Sequence, residues 1–105
     1  MNSKKKISDL FLFFRNNINY PYRNIYILLE IYNHDDLIKT DTLQYAITDK
    51  YGRWYGNGIG NTRDNYFLIE KNFKFEHAGE YTFKLQHGMR SNPLLGSEKI
   101  GLKIK

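Results

Sequence analysis

Hydrophobic and polar side chains alternate along several short segments, with the period of two that a β-strand imposes. The clearest is residues 80–87, where the alternate residues Tyr81, Phe83, Leu85 and His87 share one face. Such alternation is typical of an antiparallel strand with one face in a core and one in water. The same spacing predicts strands over 41–48 and 99–105, with inward side chains Leu43, Tyr45 and Ile47, and Ile100, Leu102 and Ile104.

Two segments are apolar on both faces. Residues 9–16 place Leu10, Leu12 and Phe14 on one face and Phe11 and Phe13 on the other. We therefore expect this strand to be covered on both sides. Residues 24–32 form a long apolar run that a buried helix would also fit, but their β-branched and aromatic content favours a strand.

The remaining segments are shorter or less regular. Residues 72–76 predict a strand, 53–55 predict the start of a short one, and 62–71 fit either a short strand or an irregular crossover between sheets. The glycine-rich residues 56–61 suggest a bend, a bulge or a close backbone crossing. About seven short strands without a helix predict an all-β antiparallel sandwich, immunoglobulin-like or jelly-roll-like. We expect one domain over residues 1–105, with 1–8 as a frayed or added start.

Composition narrows the class of protein. The chain has 105 residues, no cysteine and a formal charge of +5, with much of the excess in the lysines near its two ends. No apolar run approaches the roughly 18–20 residues of a membrane helix, and the short run 10–14 is not a secretory leader. The chain is thus expected to be cytoplasmic, or to have had a leader removed.

The sequence offers no recognisable catalytic set. It contains no GxSxG elbow, P-loop or HExxH motif. His34 and His77 fall in predicted turns and His87 ends a strand, so we expect neither a metal site nor a cofactor. Gly56, Gly58 and Gly60 are interpreted as structural. We therefore predict a binding protein rather than an enzyme.

Aromatic and basic residues in loops are the candidates for contact. Tyr51, Trp54 and Tyr55 surround the glycine-rich segment and suggest a sugar-stacking or protein-binding surface, unless Trp54 belongs to the core. Arg90, in the predicted loop 88–97, is the leading single candidate, and Met89, Trp54 and Tyr55 complete the set of expected protein contacts. Nucleic-acid binding through the basic ends is a weaker alternative, and no nucleic-acid partner is expected.

An ordered series of segments resembles one known family. They are DLFLFFRNN at 9–17, YPY followed by NIY at 20–26, DTLQY at 41–45, DKYGRWYGNG at 49–58, FEHAGEYTF at 75–83, GMR at 88–90 and IGLKI at 100–104. In this order and spacing they are similar to the gliding-motility lipoproteins of the GldH family of Bacteroidota. The resemblance covers nearly the whole chain, and it is the ordered set that makes it specific.

This resemblance implies a non-enzymatic component of the cell envelope. Family members carry a lipid on an N-terminal cysteine and act with other gliding proteins, in machinery linked to surface-adhesin movement and type IX secretion. It implies the outer membrane, facing the periplasm, as the location, and it brings no catalytic or cofactor residue. This chain departs from the pattern because it shows no leader and no lipid-bearing cysteine. We expect a soluble truncated form, and a homodimer if an edge strand is missing.

Overall fold

The computed structural model describes residues 6–58, 60–75, 79–90 and 93–105. These residues form six β-strands and no helix: β1 (Lys6–Asn17), β2 (Asn24–Asn33), β3 (Asp36–Ala46), β4 (Thr62–Phe75), β5 (Tyr81–His87) and β6 (Ser97–Ile104). All pairings are antiparallel, in the order β4-β1-β6 in one sheet, here the β1 sheet, and β3-β2-β5 in the other, the β2 sheet. Accordingly, no helix in the described ranges is long and apolar enough to cross a membrane.

The core lies between the two central strands, β1 and β2. Leu10, Leu12 and Phe14 of β1 are completely buried. They meet the four isoleucines and leucines on the inner face of β2, namely Ile25, Ile27, Leu29 and Ile31. The alternation predicted these inner faces correctly, and the two sheets packed on this cluster confirm the all-β sandwich.

The second face of β1 corrects a prediction. Phe11 and Phe13 were expected to be covered by another layer, but they point away from the β2 sheet and are half-buried by neighbouring side chains. β1 also begins at Lys6, so residues 6–8 of the expected frayed start pair with the end of β4. The outer face of β1 is thus part of the molecular surface.

Two parts of the chain, β4 and residues 53–55, account for the difference between six strands and the roughly seven predicted. The segments 62–71 and 72–76, interpreted separately, form one strand of fourteen residues that pairs with β1 along its length. Register shifts near Ser8 and Leu10 and the positive φ of Asn72 (59°) mark a bulge-like irregularity in this pairing. The predicted short strand at 53–55 is reduced to a single bridge between Thr48 and Trp54.

The edge strands are less buried than their patterns predicted. In β5, Tyr81, Phe83, Leu85 and His87 are half-buried on the inner face, as expected. In β6, Leu102 is half-buried, but Ile100 and Ile104 are exposed although both were predicted to point inward. β6 is at the edge of its sheet, and an edge position gives side chains fewer neighbours than a central one. The other two edge strands, β3 and β4, face each other and join the sheets. The rings of Tyr45 and Phe67 stack there (4.4 Å between centroids), and Lys39 forms an ion pair with Glu70.

Strand direction divides the connections between the two ends of the sandwich. β1, β3 and β5 run towards one end, which therefore holds the connections 18–23, 47–61 and 88–96. We call this the loop end. The opposite end holds the β2–β3 hairpin, with His34 at a φ of 55°, and the start of β1 and the end of β6.

Candidate interaction surfaces

All of the contact residues predicted from the sequence lie on loops at the loop end. Backbone hydrogen bonds fasten its three loops to the strands or to one another: Ile47 N–H donates to Arg23 O (2.8 Å), Gly88 N–H to Tyr26 O (2.8 Å) and Asn17 N–H to Gly96 O (2.8 Å). Side chains on these loops therefore have a fixed support, which binding residues need.

Trp54 and Tyr55 have different environments. Trp54 is half-buried and packs against the core, whereas Tyr55 is 59% exposed. Tyr51, in the turn before them, is 71% exposed, and the cations of Lys50 and Arg53 lie over its ring at 5.2 and 5.4 Å. Because Trp54 is largely committed to the core, the three rings do not form one exposed stacking platform.

The turn that presents Tyr51 is held by Asp49. Its carboxylate accepts the backbone N–H groups of Arg53 (2.9 Å) and Tyr51 (2.8 Å), and the guanidinium of Arg53 at 2.7 Å. These hydrogen bonds, the backbone bond from Arg53 first, hold the pKa of Asp49 below its usual value. The turn is therefore well defined at neutral pH.

Met89 and Arg90 follow directly after β5. The sulfur of Met89 accepts the backbone N–H of Tyr26 at 3.4 Å, and the N–H of Met89 donates to Nδ1 of His87 at 3.2 Å. Met89 is thus mainly a structural residue at the loop end. Arg90 is exposed and makes no hydrogen bond or ion pair with another described residue, which leaves its guanidinium available; residues 91 and 92 of the same loop lie outside the described ranges.

The glycine-rich segment is a close backbone crossing, as one of the predicted alternatives stated. A Cβ at Gly56 would lie 2.8 Å from the carbonyl oxygen of Asp64, and one at Gly58 would overlap the carbonyl oxygen of Thr62. Asn57 and Asp64 form a bridge with two backbone hydrogen bonds between these glycines. The glycines therefore serve packing, and the prediction that they are structural is confirmed for Gly56 and Gly58.

Two polar contacts near the loop end were missed by sequence reasoning. The buried amide of Asn65 donates to the carbonyl oxygen of Phe14 (3.0 Å) and to Oδ1 of Asn16 (3.0 Å). On the outer face, Arg15 binds both carboxylate oxygens of Asp64 (2.7 and 3.2 Å). The hydrogen bond from Arg15 lowers the pKa of Asp64. Both pairs join β1 to β4, and only the register of these strands places the partners together.

The histidines do not converge. His34 occupies the β2–β3 hairpin and His87 the end of β5, at opposite ends of the sandwich, while His77 lies outside the described residues. The part of the chain that the structure describes contains no group of three His, Cys, Asp or Glu side chains able to hold a metal ion.

The outer faces of the two sheets differ in chemistry. The β2 sheet has a shallow depression of about 870 Å³, with polar side chains such as Glu30, Thr40, Thr42, Lys84 and Gln86 around Leu28. The β1 sheet instead exposes Tyr66 and Leu68 of β4 beside Phe11 and Phe13 of β1, with lysines of β6 on the other side. No pattern within one strand could show this second surface.

Comparison with known proteins gives one consistent result. A family model described as GldH lipoprotein matches residues 1–104. The chain is 36% identical over 107 residues to a gliding motility lipoprotein GldH homolog of Christiangramia forsetii. The alignment covers 95% of this chain but 66% of that relative, so the chain spans slightly under two thirds of the relative's length. It is 28% identical over 112 residues to the gliding motility lipoprotein GldH of Flavobacterium johnsoniae, covering 100% of this chain and 69% of that protein. No solved structure matches.

Proposed function

The chain belongs to the GldH lipoprotein family, and we propose that it acts as a non-enzymatic, protein-binding domain of an envelope lipoprotein. The names of its relatives support a role in gliding motility. The proposal adds three finer statements: that the domain works by contacting other gliding proteins, that it faces the periplasm from the outer membrane, and that its loss also impairs type IX secretion.

The observation that carries the proposal is the arrangement of the loop end. Two of the three loops that cross between the sheets carry the exposed side chains of Tyr51, Tyr55 and Arg90, and backbone hydrogen bonds support these loops. Tyrosine and arginine are enriched among the residues that dominate the energy of protein interfaces. Their positions on fixed loops reduce the ordering cost of binding.

The alternative, a carbohydrate-binding surface made of Tyr51, Trp54 and Tyr55, finds less support. Sugar stacking needs rings that are accessible on their faces, and Trp54 packs against the core. The two exposed tyrosines fit a protein contact as well as they fit a sugar. Arg90 adds a charged hydrogen-bond donor that a protein contact would use.

Complementation of a strain that lacks its own copy of the gene tests the proposal. The intact lipoprotein would carry Tyr55→Asp and Arg90→Glu together, two exposed changes that leave the core untouched. We expect this variant to accumulate normally but to fail to restore spreading on agar, and to lower the export of a type IX secretion reporter.

Lys84→Glu provides the matched control, because it reverses a charge on the outer face of the β2 sheet. It should restore spreading like the unaltered protein. Normal spreading by the Tyr55/Arg90 variant would remove the loop end as the contact surface. Normal spreading by the deletion strain itself would remove the role in gliding, and normal export in a non-spreading variant would remove the link to secretion.

A further inference from the structure

The outer face of the β1 sheet carries an apolar stripe that no other part of the described chain covers. Its members alternate with the buried residues of β1 and β4. Tyr66 is 56% exposed and Leu68 47%, and each pairs with a half-buried phenylalanine, Phe13 and Phe11 respectively. Ile7, also exposed, extends the stripe towards the start of β1. The stripe thus follows β1, whose twelve residues span roughly 40 Å.

Cationic side chains line this stripe. They belong to all three strands of the sheet: Arg15, Lys74, Lys99, Lys103 and Lys105. Three of them lie over aromatic rings of the same face, Lys103 over Tyr66 (5.3 Å), Lys105 over Phe11 (5.5 Å) and Arg15 over Phe13 (5.4 Å). Long cationic side chains that lie along apolar surface keep their charged ends in water.

The carboxylates of this face are already engaged within the chain. Asp64 pairs with Arg15, Asp9 accepts the backbone N–H of Asn72 (2.9 Å), and Glu98 at the margin accepts the side-chain amide of Asn17 (2.7 Å). Among described residues, none of the four lysines forms an ion pair with a carboxylate, although Lys99 contributes to the lowered pKa of Asp64. Their charge is therefore available to an external anion.

Gly101 is the most informative residue of the surface. It lies in the middle of β6, opposite Phe13. A Cβ there would meet nothing within 4 Å, and its φ is not in the left-handed region. Glycine within a strand weakens it, so neither packing nor backbone geometry explains this choice. Its effect is to leave one flank of the Phe13 ring open between two lysines.

The β2 sheet shows that this arrangement is particular to one side. Its outer face also exposes Tyr26 and Leu28, but their neighbours on β3 and β5 are neutral threonine and glutamine residues, and Lys84 lies opposite Glu30. Exposed apolar side chains therefore occur on both faces, whereas the row of free cations occurs on the β1 sheet.

We propose that the outer face of the β1 sheet lies on an anionic phospholipid surface. Aromatic and aliphatic side chains would enter the headgroup region, and the lysines would contact the anionic headgroups. A protein partner fits less well, because lysine is depleted in protein interfaces relative to the rest of the surface. The proposal rests on this face alone and is independent of the contacts at the loop end.

Sedimentation with vesicles tests the proposal directly. The chain is mixed with phosphatidylcholine vesicles that contain increasing fractions of phosphatidylglycerol, at up to millimolar lipid and at low and high salt. We expect binding that grows with the anionic fraction, is lost in pure phosphatidylcholine and weakens in high salt, since the Debye length falls from about 10 Å at 0.1 M to about 3 Å at 1 M.

Two substitutions at one position locate the binding. Gly101→Glu puts a carboxylate between the lysines, and Gly101→Gln puts a neutral side chain of the same size there. Each charge near an anionic surface contributes about fivefold in affinity, so the Glu variant should bind vesicles at least about fivefold more weakly than the Gln variant. Lys84→Glu, on the β2 sheet, should stay within about twofold of the unaltered chain. The urea midpoints of all variants are measured to confirm that each is folded.

Three results would overturn the proposal. The first is no binding of the unaltered chain to anionic vesicles at low salt. The second is equal binding by the Glu and Gln variants, or an equal loss in Lys84→Glu, because binding would then follow net charge or basic residues elsewhere. The third is binding to a polyglutamate peptide without binding to vesicles, which would identify an acidic protein segment as the occupant.

Discussion

The two buried amides of Asn16 and Asn65 make the substitution Asn65→Ala unusually costly for its size. Asn16 is fully buried and Asn65 is 4% exposed, yet the side-chain N–H groups of Asn65 satisfy two acceptors, Phe14 O and Asn16 Oδ1. Alanine removes both hydrogen bonds and leaves both acceptors inside the protein. Each lost bond is worth about 1 kcal/mol, and each stranded acceptor adds to the cost. We expect the free energy of unfolding to fall by about 2–4 kcal/mol, a large part of the total for a domain of this size.

A double-mutant cycle separates the hydrogen bond from the loss of side-chain volume. Asn16→Ala removes one acceptor and also the bond from Asn16 to the carbonyl oxygen of Asn17 (3.1 Å). Each single variant leaves part of the other amide without a partner, whereas the double variant leaves neither amide behind. The double variant should therefore lose less free energy of unfolding than the sum of the losses in the two single variants, by about 1–2 kcal/mol. Asn61→Ala, at an exposed site, is the control and should change stability by less than about 0.5 kcal/mol.

Urea unfolding, followed by the fluorescence of Trp54, measures these differences. Trp54 is the single tryptophan, and its half-buried place against the core makes its emission sensitive to unfolding. Far-ultraviolet circular dichroism provides a second probe, and the dependence on urea should have the same slope in every variant. An Asn65→Ala variant within 0.5 kcal/mol of the unaltered chain, or a cycle that is additive, would refute the reasoning.

Three further expectations follow from individual contacts. Gly58→Ala should destabilise the chain by at least about 1–3 kcal/mol in urea unfolding, because its Cβ would meet the backbone of Thr62, whereas Gly101→Ala, which meets nothing, should be neutral or slightly stabilising. Asp64 has a lowered pKa in the folded state, so its ionised form stabilises the fold. This contribution to the free energy of unfolding is present above about pH 4 and is lost as the pH falls through the folded pKa. Asp64→Asn should therefore flatten the acid side of a stability–pH curve, and an unchanged curve would contradict this. Burial raises the pKa of Tyr20, whose hydroxyl donates to Asn24 O at 2.8 Å. Its contribution is thus present below about pH 10 and is lost at higher pH, so Tyr20→Phe should cost about 1 kcal/mol at neutral pH and reduce the alkaline decline.

The central strands could be predicted from the sequence because their pattern is local. The buried residues of β2 recur at every second position, and burial follows that period without exception from Ile25 to Ile31. Asn16 shows where local reasoning stops. It ends the strand predicted over 9–16, where its polar side chain gave no reason to expect burial, yet it is fully buried because Asn65 of β4 supplies a partner for its amide. A buried polar residue cannot be recognised until its hydrogen-bond partner, 49 residues away, is known.

The same limit explains why the cationic face was not foreseen. β1 and β2 both carry apolar side chains on their outer faces, and the sequence of each strand alone predicts the same cover for both. The flanking strands determine which side chains surround the apolar residues on each outer face. The pairing with β6 sets Lys103 beside Phe11 and Gly101 beside Phe13, whereas the neighbours of β2 set Thr42 and Gln86 beside Leu28. The chemistry of each face therefore depends on register between distant segments. Because the deciding residues lie on edge strands and contribute little to the core, their substitution should alter binding while the fold is retained.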